Sequence, residues 1–529
     1  MGQNLPSRAA SGGPLGQKSA WSELVISTAA TSPAIRRGMA HGQLRRIAHR
    51  FYTSNLRDGL DAIVRRHYLE VAGAVFPGCV IADRSAAAGS MVIDGDLFIV
   101  YPKELRDLVL PGLRVRPRVG PGALTSDTKI GETGVYLASP ARTVVENTLP
   151  SRARSGARRR LSPTELEEYL DRRLRVHGLS DLERLADAIP VVSRELGLTE
   201  RGDEALQLTR EFLGTHKVPA ATPVLRARQL GQPYDPDRVR LMSLLVHALQ
   251  EKPPEPRPVL EGAQPELPFF EAYFSNYIEG TEFALDEARA IVESGIVPEA
   301  RPDDGHDILG VYQVVADGAE MSRTPGSPED LCDLLKARHQ AILKGRPDRR
   351  PGMFKVERNR AGATMFVLPE LVGGTLAEGF KVAEPLLDPF SRAVYLSTLI
   401  SEVHPFDDGN GRLARVFMNA ELAAHHEQRI IIPTAMRDNY LSALRALSHS
   451  DSPAAIVAIL DFAQRFTRRV DWSSYRAAQQ TLTLTHAFLD SAEMEQRGVR
   501  LAMPDTLGGS AGFGATPGES SLAIDALLD

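Results

Sequence analysis

The sequence has little cysteine: only Cys79 and Cys332 occur among its 529 residues. Two thiols so far apart have neither the spacing of a metal site nor the number that a disulfide framework requires, which indicates a reducing compartment. The sequence also lacks an uncharged apolar run of about 18 residues, and its first twenty residues contain no apolar core of signal-peptide length. We therefore predict a cytoplasmic protein that is not secreted and does not span a membrane.

A strong excess of one charge sign is missing as well. The formal net charge is -5, from 62 basic and 67 acidic residues, so the chain as a whole shows no nucleic-acid or membrane signature. Any basic partner surface must be local. A hydrophobic content of 43% and a charged content of 24% are typical of a soluble globular protein. The length suits about three domains of average size, and no internal repeat is visible.

The clearest candidate for a domain boundary is the segment EKPPEPRPVLEGAQPELP at residues 251–268. Its prolines prevent a regular helix and its acidic residues keep it solvated, so we interpret it as a linker. The Gly-, Ser- and Pro-rich tails at residues 1–19 and 503–529 are predicted to be disordered. The other segments are a winged-helix-like segment at 20–70, a mixed α/β region at 71–250, an all-α domain at 269–475 and a helical extension at 476–502.

The first half of the sequence alternates between helix and strand patterns. Two short helices are predicted at residues 20–30 and 32–41, before the stretch GQLRRIAHRFYT. That stretch mixes apolar residues with arginines, as the β-ribbon of a winged helix-turn-helix does. Apolar runs between residues 70 and 145, such as GAVFPGCVIA, predict strands, and Ser162 with Glu165 forms a capping box at the start of a helix. An α/β region is the expected result.

The second half of the sequence is dominated by helix patterns. Segments such as EAYFSNYIEG, FSRAVYLSTLISEV and RLARVFMNAELAAHH place apolar residues at intervals of three and four, which predicts an all-α domain. One segment, GMFKVERNRAGATMFVLPE at 352–370, alternates instead like a β-hairpin that turns near Gly362. A lone hairpin is marginally stable, so it must pack on the helical core.

The stretch HPFDDGNGRLAR, residues 404–415, concentrates chemical groups at the junction of two helices. Pro405 disfavours continuation of the preceding helix, which leaves His404 at a helix end. The glycine-rich turn then opens the next helix, where free N–H groups and the helix dipole favour an anion. Gly409 and Gly411 let the backbone approach a phosphate closely, and Asn410 tolerates the left-handed conformation that such a turn needs.

The charged residues of this stretch complete a phosphate site. Arg412 and Arg415 are three residues apart on one helix face and can hold successive phosphates. Asp408 is suited to a Mg²⁺ ion bound jointly with phosphates, and His404 is a base for an attacking hydroxyl. Each residue alone has an ordinary explanation as a cap, a turn or a solvated side chain. Together they indicate transfer of part of a nucleoside triphosphate to a hydroxyl group.

The stretch resembles the Fic family motif H-P-F-x-[D/E]-G-N-G-R-x-x-R at every fixed position. The resemblance extends over roughly residues 265–470 and implies an all-α Fic fold that transfers AMP from ATP to a hydroxyl side chain of a protein. Asp407 occupies the variable position and is expected to be solvated. The implied roles are general base for His404, loop anchor for Phe406, Mg²⁺ ligand for Asp408, phosphate cradle for Asn410 with the amides of Gly409 and Gly411, and β- and γ-phosphate contacts for Arg412 and Arg415.

Two further segments resemble parts of Fic proteins. The hairpin at 354–367 is similar to the flap, which binds the extended backbone of the target by strand addition; the alternative is an ordinary surface hairpin. SNYIEG, residues 275–280, resembles the inhibitory motif [S/T]-x-x-x-E-[G/N], and we place the inhibitory helix at 268–280. Ser275 and Glu279 share a helix face, Gly280 completes the motif, and Glu279 would pair with Arg415 in place of the γ-phosphate. The alternative is a surface carboxylate at a helix end.

The adenine pocket departs from the pattern of many relatives. These carry an aromatic pair and a nearby Asn, whereas here Tyr440 precedes Leu441 and Ser448 stands near the Asn position. Tyr440 is the candidate nucleotide contact, and base specificity stays open.

The first half resembles the AbiEi-type antitoxin and transcriptional-regulator family over about residues 20–230, through GQLRRIAHRFYT, IADRSAAAG and ASPARTVVENTLP. The resemblance implies a winged helix that binds DNA, followed by an α/β domain. The alternative is a module that binds protein or regulates the Fic domain. The candidate DNA contacts are Arg36, Arg37, Arg45, Arg46, Arg50 and the basic cluster SRARSGARRR at 151–160.

The sequence thus predicts a multidomain protein: an N-terminal α/β region with a winged helix-turn-helix, then an all-α Fic fold with a β-hairpin flap. The predicted function is a protein adenylyltransferase that uses ATP and Mg²⁺ and is autoinhibited by Glu279. The alternatives are a Fic enzyme that uses another nucleotide or removes AMP, and a DNA-binding regulator with a Fic sensor domain. The partners would be the hydroxyl of a target protein, DNA as a candidate and a second copy of the chain as a candidate, with no membrane.

Overall fold

The structure of the protein is a computed structural model that describes residues 21–150, 158–251, 255–260 and 262–504. The tail predicted at 1–19 lies outside the described residues, and so does the tail predicted at 503–529 apart from Met503 and Pro504. The chain forms two compact units, Met1–Arg226 and Ala227–Asp529. No helix in the described ranges is both long and apolar enough to cross a membrane.

The first unit begins with a small antiparallel sheet of three strands in the order β1-β3-β2. One helix lies between the first two strands, and β2 and β3 form the ribbon that GQLRRIAHRFYT predicts. The bounds are β1 Leu24–Ile26, α1 Ser32–Ala40, β2 Arg45–Ala48 and β3 Phe51–Thr53.

The helix predicted at residues 20–30 is wrong, because its middle is strand β1. This strand pairs with β3 in the register Leu24↔Thr53, and Leu24 and Val25 are buried. A three-residue apolar run carries too little periodicity to tell strand from helix, and the β-branched Val25 and Ile26 suit a strand once a partner is available.

A larger mixed sheet follows, with six strands in the order β6-β7-β5-β4-β9-β8. The pairs β4/β9 and β5/β7 are parallel, and the remaining neighbours are antiparallel. The predicted α/β character is confirmed, although the run GAVFPGCVIA starts inside a helix before it reaches β4. The bounds are α2 Leu60–Arg66, α3 Tyr68–Val75, β4 Val80–Ile81, α4 Asp83–Ala87, β5 Asp96–Tyr101, β6 Leu108–Leu110, β7 Leu113–Val119, β8 Thr128–Ile130, β9 Val135–Leu137 and α5 Pro140–Asn147.

Helices complete the first unit and lead into the second. The capping box predicted at Ser162 and Glu165 is present: the Ser162 hydroxyl accepts from the Glu165 N–H, and the Glu165 carboxylate accepts from the Ser162 N–H. The bounds are α6 Pro163–His177, α7 Leu179–Glu195, α8 Thr199–Phe212 and α9 Pro223–Gln229.

The second unit is helical, as predicted, with one two-stranded hairpin. Its centre is the pair α16 and α17, in which most residues are buried. The bounds are α10 Pro236–Glu251, α11 Leu267–Ile278, α12 Leu285–Ser294, α13 Pro302–Ala316, α14 Pro328–Ile342, β10 Arg360–Ala361, β11 Thr364–Met365, α15 Val372–Val382, α16 Pro389–Val403, α17 Asn410–Ala424, α18 Arg437–Ser450, α19 Ala454–Arg468, α20 Tyr475–Leu484 and α21 Ser491–Arg497.

The unit boundary falls earlier than the linker predicted at 251–268. Helix α10 belongs to the second unit, where Arg238 pairs with Glu402 of α16. Residues 255–260 of the proline-rich segment lie along the helical core, because the Arg257 N–H donates to Glu427 Oε2 at 2.6 Å and the Gln428 N–H donates to the Arg257 carbonyl at 2.8 Å. These two hydrogen bonds hold this part of the segment against the core, and the last two residues of the predicted linker, Leu267 and Pro268, already belong to α11.

Candidate active site

His404 stands at the C-terminal end of α16, where its backbone is left-handed with a φ of 52°. Its ring stacks on Phe366, which follows β11, with centroids 3.8 Å apart and planes within 5°. Nδ1 lies 3.3 Å from the Ser401 carbonyl, so Nδ1 carries the proton and Nε2 is the acceptor. Burial lowers the pKa of His404 to about 4, and the ring is therefore neutral at pH 7.

The loop after His404 is held by its own side chains. The Asn410 amide donates to the Phe406 carbonyl at 2.9 Å, and its oxygen accepts from the Phe406 N–H at 2.9 Å. The Phe406 side chain is fully buried. Gly409 is the N-cap of α17 and supplies no side chain, so the first amides of this helix face the site without a side-chain cap.

Glu279 occupies the space in front of these amides. Its Oε1 lies 2.7 Å from Nη2 of Arg415. A methyl group added at Gly411 would meet the same oxygen at 2.2 Å, so the carboxylate lies directly on the backbone of α17. Arg415 also binds Ser275, through Nε to the hydroxyl at 3.0 Å and through Nη2 to the carbonyl at 2.8 Å.

Gly280 follows Glu279 with a φ of 93°, a conformation that a residue with a Cβ rarely adopts. The chain therefore turns sharply away after Glu279. The structure brings together all three residues predicted from SNYIEG, with two of them in contact with Arg415.

Arg412 faces two carboxylates. It pairs with Asp307 of α13 and with Oδ1 of Asp408 at 3.3 Å, and it is almost fully buried. Arg346 approaches the same Asp307 oxygen at 3.3 Å. Sequence reasoning missed Asp307. The available signal was an acidic residue directly before the apolar stretch of α13 that starts at Ile308.

Asp408 is half-buried and charged. Burial alone would raise its pKa, but Arg412 and the Gly409 N–H lower the pKa overall. Oδ1 accepts from the Gly409 N–H at 2.6 Å, and Oδ2 lies 3.7 Å from Arg349. No group of three or more His, Cys, Asp or Glu side chains that could hold a metal occurs in the described part of the chain. A Mg²⁺ ion at Asp408 would thus need phosphate and water oxygens as its other ligands, which is how this ion usually binds with nucleotides.

Asp407 is exposed, as expected, and it also has an ion pair. Arg350 donates to its Oδ2 from Nε at 2.8 Å and from Nη2 at 2.7 Å. Asp407, at the variable position of the motif, thus connects the loop to Arg350 in the segment before the hairpin.

Tyr440 is buried, with 2% of its surface exposed, and its hydroxyl is directed toward Arg415 and Ser397. Its contact with the site runs through Arg415, and a direct contact with a nucleotide stays a prediction. Ser448 donates to Glu402 rather than facing open space.

The base of the hairpin is bonded to the loop after α16. The Lys355 N–H donates to the Pro405 carbonyl at 2.9 Å, and the Asn359 amide donates to the Phe406 carbonyl at 2.9 Å. Lys355 Nζ donates to Asn359 at 2.7 Å. The hairpin and the loop after α16 therefore form one connected structure, and neither Lys355 nor Asn359 was predicted from the sequence.

The candidate DNA-binding arginines are only partly available. Arg36, Arg37, Arg46 and Arg50 are exposed. Arg45 instead donates to the Asn55 carbonyl at 2.9 Å and to the Asp58 carbonyl. Neighbours on a strand point to opposite faces, so Arg45 and Arg46 do not share one surface.

The second basic cluster is also engaged where it is described. Arg159 and Arg160 lie 3.2 and 3.7 Å from the buried carboxylate of Asp83. Residues 151–157 of this cluster lie outside the described residues. DNA binding by the first unit stays a prediction.

The profile of the Fic/DOC family matches residues 330–422, the interval that contains His404, the loop and α17. The chain carries a Fic/DOC domain. It is 26% identical over 188 residues to protein adenylyltransferase fic-1 of Caenorhabditis briggsae, which covers 35% of this chain and 37% of that protein. It is 25% identical over 245 residues to protein adenylyltransferase Fic of Drosophila persimilis, covering 44% of this chain and 47% of that protein. The chain thus spans less than half the length of these curated relatives.

Solved structures similar to the chain are also Fic proteins. Fic-1 of Caenorhabditis elegans matches with a TM-score of 0.34 and 18% identity, over 61% of this chain and 90% of that one. A Fic-domain signalling protein of Bacteroides thetaiotaomicron matches with a TM-score of 0.32 and 19% identity, over 49% of this chain and 96% of that one.

Proposed function

We propose that the protein is an adenylyltransferase that moves AMP from ATP to a hydroxyl side chain of a target protein, and that Glu279 holds it inactive at rest. One observation carries the proposal: the Glu279 carboxylate lies on the backbone at Gly411 and pairs with Arg415 at 2.7 Å. An internal carboxylate in the anion site of a Fic/DOC domain is a substitute for a phosphate group, and it must leave before a triphosphate binds fully.

The chemistry follows from the positions of His404 and α17. The target hydroxyl oxygen attacks the α-phosphorus of ATP, the bond from that phosphorus to the bridging oxygen of the β-phosphate breaks, and pyrophosphate leaves. The hydroxyl proton passes to Nε2 of His404, which is the free acceptor of the neutral ring. The amides of α17 and Arg412 hold the negative charge of the phosphates in place.

ATP and Mg²⁺ fit the donor set of the site. The triphosphate would lie along the first turn of α17, with Arg415 at the γ-phosphate once Glu279 has moved. Asp408 would hold Mg²⁺, which neutralises phosphate charge when bound. The carboxylate of Asp408 is already ionised because of Arg412, so no proton has to leave when the metal binds.

The first prediction concerns Glu279→Gly. We expect this variant to incorporate label from α-labelled ATP into itself or a target at least about tenfold faster than wild type, because a hydrogen-bonded ion pair worth about 1.5–3 kcal/mol no longer competes with the γ-phosphate. The measurement is autoradiography after incubation with Mg²⁺. Glu279→Gln is the matched variant: it keeps the shape without the charge and should be intermediate.

Two controls make this experiment specific. Glu279→Gly with His404→Ala should incorporate nothing, and γ-labelled ATP should leave no label, since only the AMP half is transferred. Labelling of Glu279→Gly no stronger than that of the His404→Ala form would rule out the proposal. Label from γ-labelled ATP would indicate phosphoryl transfer instead.

A further inference from the structure

The segment that contains the hairpin is strongly basic within an acidic chain. Residues 344–366 contain seven basic side chains and two acidic ones, a net charge of +5, whereas the whole chain has a net charge of -5. The basic residues are Lys344, Arg346, Arg349, Arg350, Lys355, Arg358 and Arg360. Such local charge in an acidic protein needs a structural or a functional explanation.

Four of these residues have a structural explanation. Arg346 pairs with Asp307, Arg349 with Asp348, and Arg350 with Asp407. Lys355 is buried against Asn359. Each of these four side chains thus already has a partner within this chain.

The other basic residues are Lys344, which lies outside the hairpin, and Arg358 and Arg360, which have no such role. Both are exposed, and neither has an ion pair or a side-chain hydrogen bond with any residue that the structure describes. Arg360 lies on β10 directly across from Met365 of β11, so the two side chains share one face of the hairpin. That face is solvent-exposed, because the opposite face carries Thr364, which is buried and bonded to His449 at 2.7 Å.

Apolar side chains are exposed beside these arginines. Met353, Val356 and Met365 are 58%, 69% and 50% exposed. Exposed apolar residues next to unpaired cations mark a surface that binds a partner with both apolar and acidic groups.

The backbone of the hairpin is available on one side only. The Met365 carbonyl of β11 accepts from Arg238 at 2.6 Å, so the outer edge of β11 is occupied. The outer edge of β10 pairs with no strand in the described ranges. An extended peptide can add to such an edge, and here the edge adjoins the catalytic base through Asn359 and Phe366.

We propose that this hairpin selects its target by charge: the acceptor hydroxyl lies in an extended segment that carries acidic side chains next to it, bound by Arg358 and Arg360 with an apolar residue on Met365. This inference rests on the proposed function and specifies the substrate class of the same site. A target with basic residues beside the hydroxyl would be repelled, so the two arginines discriminate as well as attract.

The second prediction is tested with two peptides of equal length, identical except that either Asp or Lys flanks the central Thr. The full-length Glu279→Gly protein should transfer AMP to the acidic peptide with a KM about tenfold lower, and the preference should shrink as salt rises. Arg358→Glu combined with Arg360→Glu should reverse the preference. The KM for ATP checks that the fold of the double variant is intact.

Arg476→Glu is the control for the type of substitution, because it replaces an exposed arginine by glutamate on α20, outside the hairpin. It should leave the peptide preference unchanged. Equal KM values for the two peptides, or a preference that the double variant does not alter, overturn this inference alone. Absence of AMP transfer to either peptide and of self-labelling overturns the proposed function instead.

Discussion

His339 shows how a residue outside the motif shapes the loop after α16. Its ring stacks on Phe406 with centroids 3.7 Å apart and planes within 7°. Nδ1 accepts from the Gly352 N–H at 2.9 Å, so Nε2 carries the proton and donates to the Asp408 carbonyl at 3.1 Å. Both nitrogens are used by one neutral tautomer. Burial lowers the pKa of His339 to about 4, which keeps the ring in that form at neutral pH.

The third prediction is that His339→Phe, which keeps the stacked ring but loses both hydrogen bonds, unfolds more easily than wild type. We expect a decrease of about 1–3 kcal/mol in the free energy of unfolding at pH 7. This difference should shrink as the pH falls from 6.5 toward 4. Between these pH values His339 takes up a proton in the unfolded wild type but stays neutral in the folded wild type. Protonation therefore stabilises the unfolded state, and the free energy of unfolding of the wild type falls by up to about 1.4 kcal/mol per pH unit.

Urea unfolding of both proteins at several pH values between 7 and 5 measures this difference. Gln340→Ala on the same helix serves as a comparison, since it removes no titrating group. A difference between wild type and His339→Phe that does not change with pH would show that His339 is not held neutral.

Which residues of the site could be predicted depends on how far their partners lie along the chain. His404, Asp408, Arg412 and Arg415 fall within one short motif, and the pairing of Glu279 with Arg415 was expected from a second motif. His339 and Asp307 act on the loop from 69 and more than 100 residues away. No periodicity or spacing in one sequence connects such positions, because the packing of α13 and α14 under the loop brings them together.

At the scale of elements, α11 is fixed along most of its length. Phe269, Phe270 and Phe274 are fully buried and form a ring cluster with Tyr475 and Phe488. The last turn carries Ser275, which binds Arg415. On the proposed function, relief of inhibition would therefore involve that turn or the Glu279 side chain rather than the whole helix.

The end of α11 has a second attachment besides Arg415. Nε of Arg437, at the start of α18, donates to the Ile278 carbonyl at 3.1 Å. A cation at the last carbonyls of a helix stabilises that end, so Arg437 keeps Glu279 within reach of Arg415.

The fourth prediction is that Arg437→Ala raises basal AMP transfer by about fivefold, the factor for an interaction of about 1 kcal/mol. The rise should be smaller than in Glu279→Gly, because the carboxylate is still present. Label incorporation from ATP measures both. Arg445→Ala, which removes an exposed arginine from the same helix, should behave like wild type, and an unchanged rate in Arg437→Ala would show that this contact does not restrain the inhibitory turn.

Elements with strong periodicity were predicted better than short ones. Most helices of the second unit, such as α16 and α17, have ten or more residues and repeat apolar residues along their length, so their type was clear from the sequence. Strand β1 has three residues and the hairpin strands have two each, and their pairing partners decide their conformation.

At the scale of the molecule, the second unit has a core of its own. Its buried cluster begins with Leu241 of α10 and ends with Ala487 after α20. The clusters that contain the sheets of the first unit are separate from it. Helix α10 contributes Leu241, Met242, Leu245, Val246 and Leu249, although it precedes the proline-rich segment.

The fifth prediction compares two fragments of the Glu279→Gly form. Residues 227–504 should unfold cooperatively and retain AMP transfer. Residues 252–504 should be insoluble or fail to unfold cooperatively, because removal of α10 uncovers the surface that five apolar side chains bury. The Leu and Met side chains among them are worth roughly 2–5 kcal/mol each. Circular dichroism during heating, with a labelling assay, distinguishes the two. Equal stability would show that the domain begins after the proline-rich segment.

The contact between Glu279 and Arg415 also implies a competition for Arg415 between this carboxylate and a phosphate group. A carboxylate that belongs to the chain is an intramolecular ligand. Its effective concentration is set by the length and stiffness of α11, whereas that of a free ligand is set by the amount of ligand in solution. On the proposed function, the γ-phosphate of ATP must displace the Glu279 carboxylate. The resting enzyme then has a weakened affinity for ATP, while its catalytic groups stay intact. Any event that lowers the effective concentration of Glu279 would then activate the protein without touching His404.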